Sequence, residues 1–433
     1  MLAPLPTDRP VLAWYGDDFT GSGAVMEVLT FAGIPAVLFL EPPTPAMLAH
    51  FPNARAIGLA SDARTRSPEW MRAELPRVFA QLRSFGAPLL HYKICSTLDS
   101  APEVGSIGTA AEIGLGADGI APLLVGAPEI GRWQAFGSLF ARAGDGIHRL
   151  DRHPTMSVHP VTPMDEADVG RHIARQTELG TGLVDLVELK AGRGPERLAA
   201  EIARGARIIA LDVVDAETLT AAGALIWQTA PGFVIGSQGV EYALIATWRA
   251  AGLLPPAPPP ARLAAADRII AVSGSCSPIT AAQIDHAEAA GFTIVPLDAR
   301  APDWPTAGAA ARAALDAGRS VIVATARGAA DPGVTGGEAL GTGLGQLLER
   351  LLRDTGITRA VIAGGDTSSH AARALGLMAL TAETPISPGA ALLRGHRADG
   401  SSIEIALKGG QMGTRDFFLR ARDGHDSSRK EQA

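Results

Sequence analysis

Two segments near opposite ends of the chain combine acidic residues with framing glycines: Asp17 to Gly23 and Gly364 to Ser368. Each follows a short apolar run that predicts a buried strand and precedes a helix-like stretch, which is where α/β proteins place their chemistry. Adjacent carboxylates such as Asp17 and Asp18 suit metal binding or proton abstraction, and the free N–H groups at a helix start favour anions. The simplest interpretation is an acceptor site and a phosphate-donor site on separate domains.

The acidic pair has two other interpretations. One aspartate of the pair could cap a helix while the other occupies a turn. A phosphoaspartyl-transfer enzyme would need an acid where Phe19 stands, which argues against that class. Only a pair in close contact would separate the two pKa values by repulsion, and the spacing alone does not decide this.

A second polar segment, Lys93 to Ser100, supplies one cation, three hydroxyls and one carboxylate within eight residues. An acidic sugar needs an ammonium such as that of Lys93 for its carboxylate and short polar groups such as Ser96, Thr97 and Asp99 for its hydroxyls. The alternative is local, because Ser96 or Thr97 could cap a helix. Capping and ligand binding can coexist.

Two arginines, Arg64 and Arg132, lie just beyond predicted strand ends. A guanidinium group binds a carboxylate or a phosphate with two parallel hydrogen bonds, although most arginines are simply solvated. Both are therefore candidate anion-binding residues.

Three glycine loops follow predicted strands in the C-terminal part of the chain. The first contains Ser273 and Ser275, the second Gly364, Gly365, Asp366 and Thr367, and the third Gly409 and Gly410. Their free N–H and hydroxyl groups suit phosphate, and Asp366 is a candidate magnesium ligand. The chain holds no Gly-x-x-x-x-Gly-Lys-Ser/Thr motif and no Gly-x-Gly-x-x-Gly after the first strand, so a bound nucleotide would be held differently.

The length of 433 residues predicts two domains. The proline-rich run from residue 254 to 260 places a linker at 253–266, between a domain at 1–252 and a domain at 267–433. Short apolar runs alternate with helix-like segments on both sides of this linker. That alternation predicts an α/β fold with two domains, each a mostly parallel sheet covered by helices, and an active site in the cleft between them.

The segment from Gly131 to Val169 is the least regular part of the first domain. It carries polar residues among prolines, which predicts a long functional loop.

The composition excludes several function classes. A formal net charge of -7 without a basic block argues against nucleic acid or an anionic membrane surface as partner. The two cysteines, Cys95 and Cys276, form no metal or disulfide pattern, and the N-terminus has no signal-peptide pattern. We therefore expect a cytoplasmic protein with small-molecule partners, and a homo-oligomer is left open because most soluble oligomers are homo-oligomers.

These motifs together resemble the four-carbon acid sugar kinases. The family opens with Asp-Asp-x-Thr-Gly and continues with Lys-x-x-x-Ser-Thr; its nucleotide domain carries Gly-Ser-x-Ser, Gly-Gly-Asp/Glu-Thr-Ser and Lys-x-Gly-x-x-Gly loops. Matching positions are Asp17, Asp18, Thr20, Gly21, Lys93, Ser96, Thr97, Gly274 to Ser277, Gly364 to Ser368 and Lys408 to Gly413. The resemblance spans nearly the whole chain, in the same order.

The resemblance implies ATP- and magnesium-dependent phosphorylation of the terminal hydroxyl of a small sugar acid such as threonate, erythronate or 3-oxo-tetronate. Asp17 or Asp18 would accept the hydroxyl proton, and Arg64 and Lys93 would grip the carboxylate. The nucleotide would contact Ser275, Gly364 to Thr367, and Gly410.

The sequence departs from the well-known branches of the family in two places. After the first motif it reads Gly-Ser-Gly-Ala, and near residue 150 it reads Arg-Leu-Asp-Arg-His-Pro-Thr-Met. A branched acid such as 3-oxo-isoapionate is therefore a further candidate substrate.

Two other function classes remain open at this stage. A non-catalytic sugar-acid sensor would also have two α/β lobes, although it needs no second glycine-rich domain. An aspartate-dependent hydrolase using Asp17 and Asp18 is the third class.

Overall fold

The computed structural model describes residues 2–116, 119–257, 259–260, 262–328, 337–387, 390–410 and 412–424. The chain divides into two compact units. Unit 1 contains the described residues up to 37 and residues 51–257, and unit 2 contains residues 38–50 and the described residues from 259 onward. Pro258 and Ala261 of the predicted linker lie outside the described residues; its described residues from 255 to 266 form neither helix nor strand.

The strands up to residue 257 are β1 (Leu12–Gly16), β2 (Ala36–Phe39), β3 (Ala56–Ala60), β4 (Leu90–Lys93), β5 (Ala121–Leu124), β6 (Arg132–Ala135), β7 (Ser138–Ala143), β8 (Gly146–Arg149), β9 (Gly180–Val184), β10 (Ala206–Leu211) and β11 (Phe233–Gly236). The helices are α1 (Phe19–Phe31), α2 (Pro45–Ala49), α3 (Pro68–Ser84), α4 (Ile107–Gly114), α5 (Val169–Ala174), α6 (Leu186–Lys190), α7 (Gly194–Ala203), α8 (Ala216–Thr229) and α9 (Gly239–Ala250).

The main sheet of unit 1 has seven parallel strands in the order β3-β1-β4-β11-β5-β10-β9. Most of these strands are buried along their whole length, as expected for a parallel sheet that helices cover on both faces. In the register of the first strands, Gly16 pairs with Ala60 on one side and with Lys93 on the other. The residues that follow these three positions therefore meet at one edge of the sheet.

The expectation of a long loop from Gly131 to Val169 is wrong for its first half. Strands β6, β7 and β8 form a separate antiparallel sheet there. The turn between β6 and β7 places Phe136 at φ 48° and Gly137 at φ 77°. The buried carboxylate of Asp212 anchors this turn by accepting hydrogen bonds from the N–H groups of Phe136 at 2.5 Å and Gly137 at 3.0 Å.

Unit 2 is built from β12 (Ile270–Ser273), β13 (Thr293–Pro296), β14 (Val321–Ala324), β15 (Arg359–Ala363), β16 (Leu377–Ser387), β17 (Ala390–Arg397) and β18 (Ser402–Lys408). Its helices after residue 259 are α10 (Pro278–Ala289), α11 (Trp304–Asp316), α12 (Glu338–Thr355), α13 (Gly365–Ala374) and α14 (Phe417–Asp423).

The sheet of unit 2 has the order β13-β14-β12-β15-β18-β17-β16. The first five of these strands are parallel, and β17 and β16 continue the sheet in antiparallel fashion. Leu38 and Phe39 at the end of β2 pair antiparallel with Leu380 and Ala379 of β16. The predicted α/β fold with mostly parallel sheets is confirmed, while the antiparallel pair β16 and β17 is an addition that we did not predict.

No helix within the described residues has the length and apolar character that crossing a membrane would require.

Candidate functional site

The carboxyl ends of β1, β3 and β4 bring the first group of candidate residues together. The backbone N–H of Asp17 donates to the carbonyl of Lys93 at 2.9 Å, and the N–H of Arg64 donates to the carbonyl of Asp17 at 2.9 Å. The Ser61 hydroxyl, also after β3, donates to the carbonyl of Gly16 at 2.7 Å. Backbone and side-chain hydrogen bonds therefore fix the loops that carry Asp17, Arg64 and Lys93.

Arg64 binds both aspartates of the pair. Its Nη2 lies 2.6 Å from Asp17 Oδ1 and 2.5 Å from Asp18 Oδ1, and its Nε lies 3.2 Å from Asp17 Oδ2. The Asp18 carboxylate also accepts the N–H of Gly21 at 3.1 Å and so caps α1. The capping interpretation and the clustered-carboxylate interpretation therefore both hold for Asp18.

The two aspartates differ in exposure and in proton affinity. The Asp17 side chain is 2% exposed and that of Asp18 is 25% exposed. Burial raises the pKa of Asp17 from 3.8 to about 6, against the opposing charge of Arg64 and with an upward contribution from Asp18. Burial also acts on Asp18, but Arg64, Lys93 and the Gly21 N–H hold the pKa of that carboxyl below its ordinary value. Although burial disfavours the charged guanidinium, the two carboxylates hold the pKa of Arg64 well above its usual range.

The pKa of Asp17 predicts an acid limb in the activity profile. As the pH falls through about 6, Asp17 takes up a proton and its charge no longer holds Arg64. We expect kcat/KM to fall by roughly tenfold per pH unit below that value, measured between pH 5 and 7.

The thermal unfolding temperature is the control for this pH dependence. Because the native pKa lies above the unfolded value of 3.8, the contribution of Asp17 to stability increases as the pH falls from 6 towards 4. A parallel loss of activity and stability would contradict this assignment.

Lys93 and Gly21 border the same cluster. Lys93 is 2% exposed, and its Nζ donates to the carbonyl of Ile94 at 2.8 Å. A Cβ at Gly21 would overlap Asp18 Oδ1 and lie 2.8 Å from Lys93 Nζ, so only glycine leaves this space open. Thr20 lies beside it in the first turn of α1 and is exposed.

The polar segment after β4 is a turn. Ser96 is half-buried and Thr97 is buried, and the Thr97 hydroxyl lies 3.1 Å from Cys95 Sγ. The prediction that Ser96 or Thr97 caps a helix is wrong, because the next helix, α4, begins at Ile107 and is capped by Ser106. These two hydroxyl groups are not engaged in helix capping.

Asp99 contacts the segment that follows β8. Its Oδ1 accepts a hydrogen bond from the Thr162 hydroxyl and lies 3.9 Å from His159 Nδ1. The backbone N–H of Thr162 donates to His159 Nδ1 at 3.1 Å. The irregular segment that we predicted to be functional is therefore connected to the candidate site through Asp99.

Sequence reasoning missed a buried network that supports this turn. The Ser100 hydroxyl lies 2.9 Å from His172 Nε2 and accepts from Gln176 Nε2 at 2.9 Å. Gln176 Oε1 accepts the N–H of Ile107 at 2.7 Å at the start of α4. Burial lowers the pKa of His172 to about 4, so this histidine is neutral. The two residues are four positions apart in the sequence, with Gln176 just beyond the end of α5, and this helical spacing is the sequence signal that could have paired them.

Arg132 begins β6, beyond the carboxyl end of β5. Its Nη1 donates to the carbonyls of Gly131 at 2.9 Å and Ile130 at 3.3 Å, and its buried Nε has no hydrogen-bond partner among the residues that the structure describes. It belongs to the same unit as Arg64 and Lys93.

In unit 2, the three glycine loops follow three neighbouring parallel strands, β12, β15 and β18. The N–H of Gly274 donates to the carbonyl of Ala363 at 3.0 Å, and the N–H of Gly364 donates to the carbonyl of Lys408 at 2.9 Å. Ser273 ends β12 and Gly409 follows β18 directly. The three loops therefore meet at one edge of the sheet, where α/β folds bind their ligands.

Thr280, in the first turn of α10, joins two of these loops and was missed by sequence reasoning. Its hydroxyl donates to the carbonyl of Gly410 at 3.0 Å and lies 3.1 Å from Ser275 Oγ. Lys408 Nζ donates to the same hydroxyl at 2.7 Å. Lys408 is 1% exposed, and burial lowers its pKa to about 8.

Two positions of this unit require glycine, one because of its backbone angle and the other because of a close contact. Gly364 has φ 124°, and a Cβ at Gly274 would overlap the hydroxyl oxygen of Thr367. At Gly365, in contrast, no atom of the described part of the chain lies within 4 Å of where a Cβ would be. The side chain of Asp366 lies outside the described part of the structure.

If these loops hold a nucleotide, as the family resemblance implies, replacing Thr280 by Val should raise the KM for ATP by about tenfold, because the buried Lys408 ammonium loses an acceptor and the loops at Ser275 and Gly410 lose their link. Thr280→Ser keeps the hydroxyl and is the matched control. Steady-state kinetics in both substrates would show an unchanged KM for the acid. An equal effect of the two variants would contradict the role of the hydroxyl.

Within the described residues, no group of three or more His, Cys, Asp or Glu side chains could hold a metal ion. Mg²⁺ at phosphoryl-transfer sites is commonly held by one or two carboxylates together with substrate phosphates and water. The described residues are therefore compatible with an ion that arrives with a nucleotide.

Comparison with known proteins matches two families to successive parts of the chain. A family described as "Sugar-binding N-terminal domain" matches residues 12–244, and one described as "Nucleotide-binding C-terminal domain" matches residues 270–418. The chain is 47% identical to a 3-oxo-isoapionate kinase of Paraburkholderia graminis, covering 96% of this chain and 94% of that protein. This chain belongs to the four-carbon acid sugar kinase family. The predicted class of enzyme, a sugar-acid kinase, is thereby confirmed, and kinase activity implies ATP as a substrate.

Other similar proteins have lower sequence identity to this chain. A 3-oxo-tetronate kinase of Pseudomonas fluorescens is 31% identical, covering 95% of this chain and 96% of that protein. Crystal structures of a Salmonella typhimurium LT2 protein and a Haemophilus influenzae protein match with TM-scores of 0.79 and 0.73 at 23% and 24% identity. Each match covers 95% of this chain, and they cover 98% and 99% of the two solved chains. At these identities the two structures support the fold alone.

Proposed function

We propose that this enzyme transfers the γ-phosphoryl group of ATP to the terminal hydroxyl of a small sugar acid, with 3-oxo-isoapionate as the first candidate and 3-oxo-tetronate as the second. The order follows the identities of 47% and 31% to kinases named for these acids. In the reaction, the substrate oxygen forms a bond to the γ-phosphorus, the bond to the β–γ bridging oxygen breaks, and ADP leaves.

The observation that carries the proposal is the partly exposed Asp18 carboxylate, held by Arg64 at the carboxyl end of β1. An acceptor hydroxyl must lose its proton, and a positioned carboxylate accepts it. Asp18 can reach a ligand, whereas the Asp17 side chain is 2% exposed and is bound by both Nε and Nη2 of Arg64. Asp18 is therefore the proposed base, and Asp17 positions Arg64.

Short polar groups around this carboxylate are the proposed partners of the sugar hydroxyls. Thr20 and Gly21 lie in the first turn of α1, and the turn after β4 contributes Ser96, Thr97 and Asp99. This set of donors and acceptors is suited to a small polyhydroxy acid.

The three loops of unit 2 are the proposed nucleotide site. Backbone N–H groups at Gly365, Thr367, Gly409 and Gly410 and the hydroxyls of Ser273 and Ser275 lie at the same sheet edge, where the start of α13 favours an anion. The space that the described atoms leave at Gly365 gives a phosphate room to approach the backbone. Magnesium bound with ATP would offset the phosphate charge, and Asp366 remains a proposed ligand.

The test is ADP release from ATP and magnesium with 3-oxo-isoapionate, 3-oxo-tetronate, threonate and erythronate, each against a reaction without acid. We expect acid-dependent ADP release and a phosphorylated acid detected by mass spectrometry. Binding of an acid without ADP release would support a sensor instead. Phosphate release that proceeds at the same rate without any acid would support a hydrolase.

A further inference from the structure

The candidate acid site contains three cations, and two of them are matched by nearby carboxylates. Arg64 pairs with Asp17 and Asp18 at 2.6 and 2.5 Å. Lys93 acts electrostatically on the same two aspartates. Two positive charges therefore face two negative charges, which leaves no excess positive charge for an anionic substrate at this pair.

Arg132 is the third cation, and none of the ion pairs among the described residues includes it. Its Nη1 donates to backbone carbonyls at 2.9 and 3.3 Å, and no described atom accepts a hydrogen bond from its Nε. Burial without a carboxylate partner lowers the pKa of this guanidinium. Nε is covered in this structure, so a second, bidentate partner for the edge formed by Nε and Nη2 would have to approach from the Nη2 side.

The position of Arg132 connects it to the rest of the site. Arg132 follows the carboxyl end of β5, which lies in the same parallel sheet as β1, β3 and β4 and is separated from β4 by β11 alone, so it stands at the same edge of the sheet as Arg64 and Lys93. The turn after β4 carries the candidate sugar ligands Ser96 and Thr97.

We infer that Arg132 binds the carboxylate of the sugar acid and makes the enzyme select acids over neutral sugars. This inference rests on the proposed function. It assigns Arg64 a different role from the one that the family resemblance implies, because the charge of Arg64 is already neutralised within the protein. A bound carboxylate would give the Arg132 fork its missing acceptors and orient the terminal hydroxyl towards Asp18.

The test compares wild type with Arg132→Gln and Arg132→Lys. For Gln we expect the KM and Kd for the acid to rise by on the order of 100-fold, with an unchanged KM for ATP. Lys keeps the charge without the fork and should give an intermediate loss. Turnover of the corresponding neutral tetritols should be equally poor in all three proteins. Arg142→Gln, on the same small sheet and stacked on Trp133 at 5.5 Å, is the matched control.

A second readout does not depend on turnover. Because Arg132 lacks a carboxylate partner, Arg132→Gln should unfold at the same temperature as wild type or higher without ligand. The rise in unfolding temperature that the acid causes in wild type should disappear in this variant.

The outcomes separate the inference from the proposed function. An unchanged KM for the acid in Arg132→Gln, with acid-dependent turnover intact, would overturn the inference alone. A raised KM for ATP would also overturn it, by assigning Arg132 to the donor phosphates. If wild type binds the acids but phosphorylates none of them, the proposed function fails, while the thermal-shift comparison still decides whether Arg132 holds the carboxylate. If wild type neither binds nor phosphorylates any acid, both fail.

Discussion

Replacing Asp18 by Asn is expected to lower kcat by about three orders of magnitude, because the proton of the acceptor hydroxyl loses its base. Asn retains a side-chain oxygen that can accept the Gly21 N–H, so α1 keeps its cap and the fold should be unaffected. The KM for ATP should not change. Steady-state kinetics and circular dichroism on the purified variant would check both parts.

Asp62→Asn provides the control for this variant. Asp62 follows the same strand as Arg64, but its carboxylate pairs with the more exposed Arg66. We expect its kcat to stay within about twofold of wild type, since exposed ion pairs contribute little. Full activity of Asp18→Asn, or an equal loss in both variants, would remove Asp18 as the base.

Replacing Gly364 by Ala is expected to raise the KM for ATP by at least tenfold. Gly364 has φ 124°, which non-glycine residues avoid at a cost of about 1–3 kcal/mol. A Cβ there would also lie 2.9 Å from the Thr367 hydroxyl and 3.4 Å from the Ser275 nitrogen. The start of α13 and the loop after β12 would have to separate, which disturbs the proposed phosphate site.

Gly400→Ala is a matched control for the backbone strain. Gly400 lies in the turn between β17 and β18 with φ 84°, and a Cβ there would meet no described atom within 4 Å. This variant should lose stability to a similar extent while keeping the KM for ATP. Isothermal titration with ATP would compare the two variants, and equal nucleotide affinity would contradict a role for Gly364.

Much of the fold could be predicted from short apolar runs. Strands β2 and β11 are apolar runs of this kind, because parallel strands that are buried on both faces are apolar along their whole length. Strand β16 was not predicted. In the structure, Thr381 to Ile386 alternate between half-buried and buried positions, which is a pattern typical of antiparallel strands. The sheet of β6 to β8 was missed because its short strands are mostly half-buried rather than apolar throughout and its turn places Phe136, an unusual residue there, at positive φ.

The site was predictable where it depends on strand ends. Asp17 and Arg64 are 47 residues apart, yet both follow neighbouring parallel strands, so their contact follows from the topology. Contacts made from within helices were not predictable. From the sequence, Thr280 is an ordinary residue of the first turn of a helix. Only the tertiary structure shows that its hydroxyl forms hydrogen bonds with Ser275, Gly410 and Lys408.

The pairing of Leu38 and Phe39 with β16 limits how the chain can be divided. A fragment ending at Ala257 would retain these two buried apolar residues without the strand that covers them in the intact chain. An unpaired apolar strand edge promotes aggregation. The complementary fragment, beginning after the proline-rich segment, would in turn lack residues 38–50 of its own compact unit. Because residues 38–50 belong to the second unit but lie within the sequence range of the first, cutting the chain at the proline-rich segment leaves both fragments incomplete.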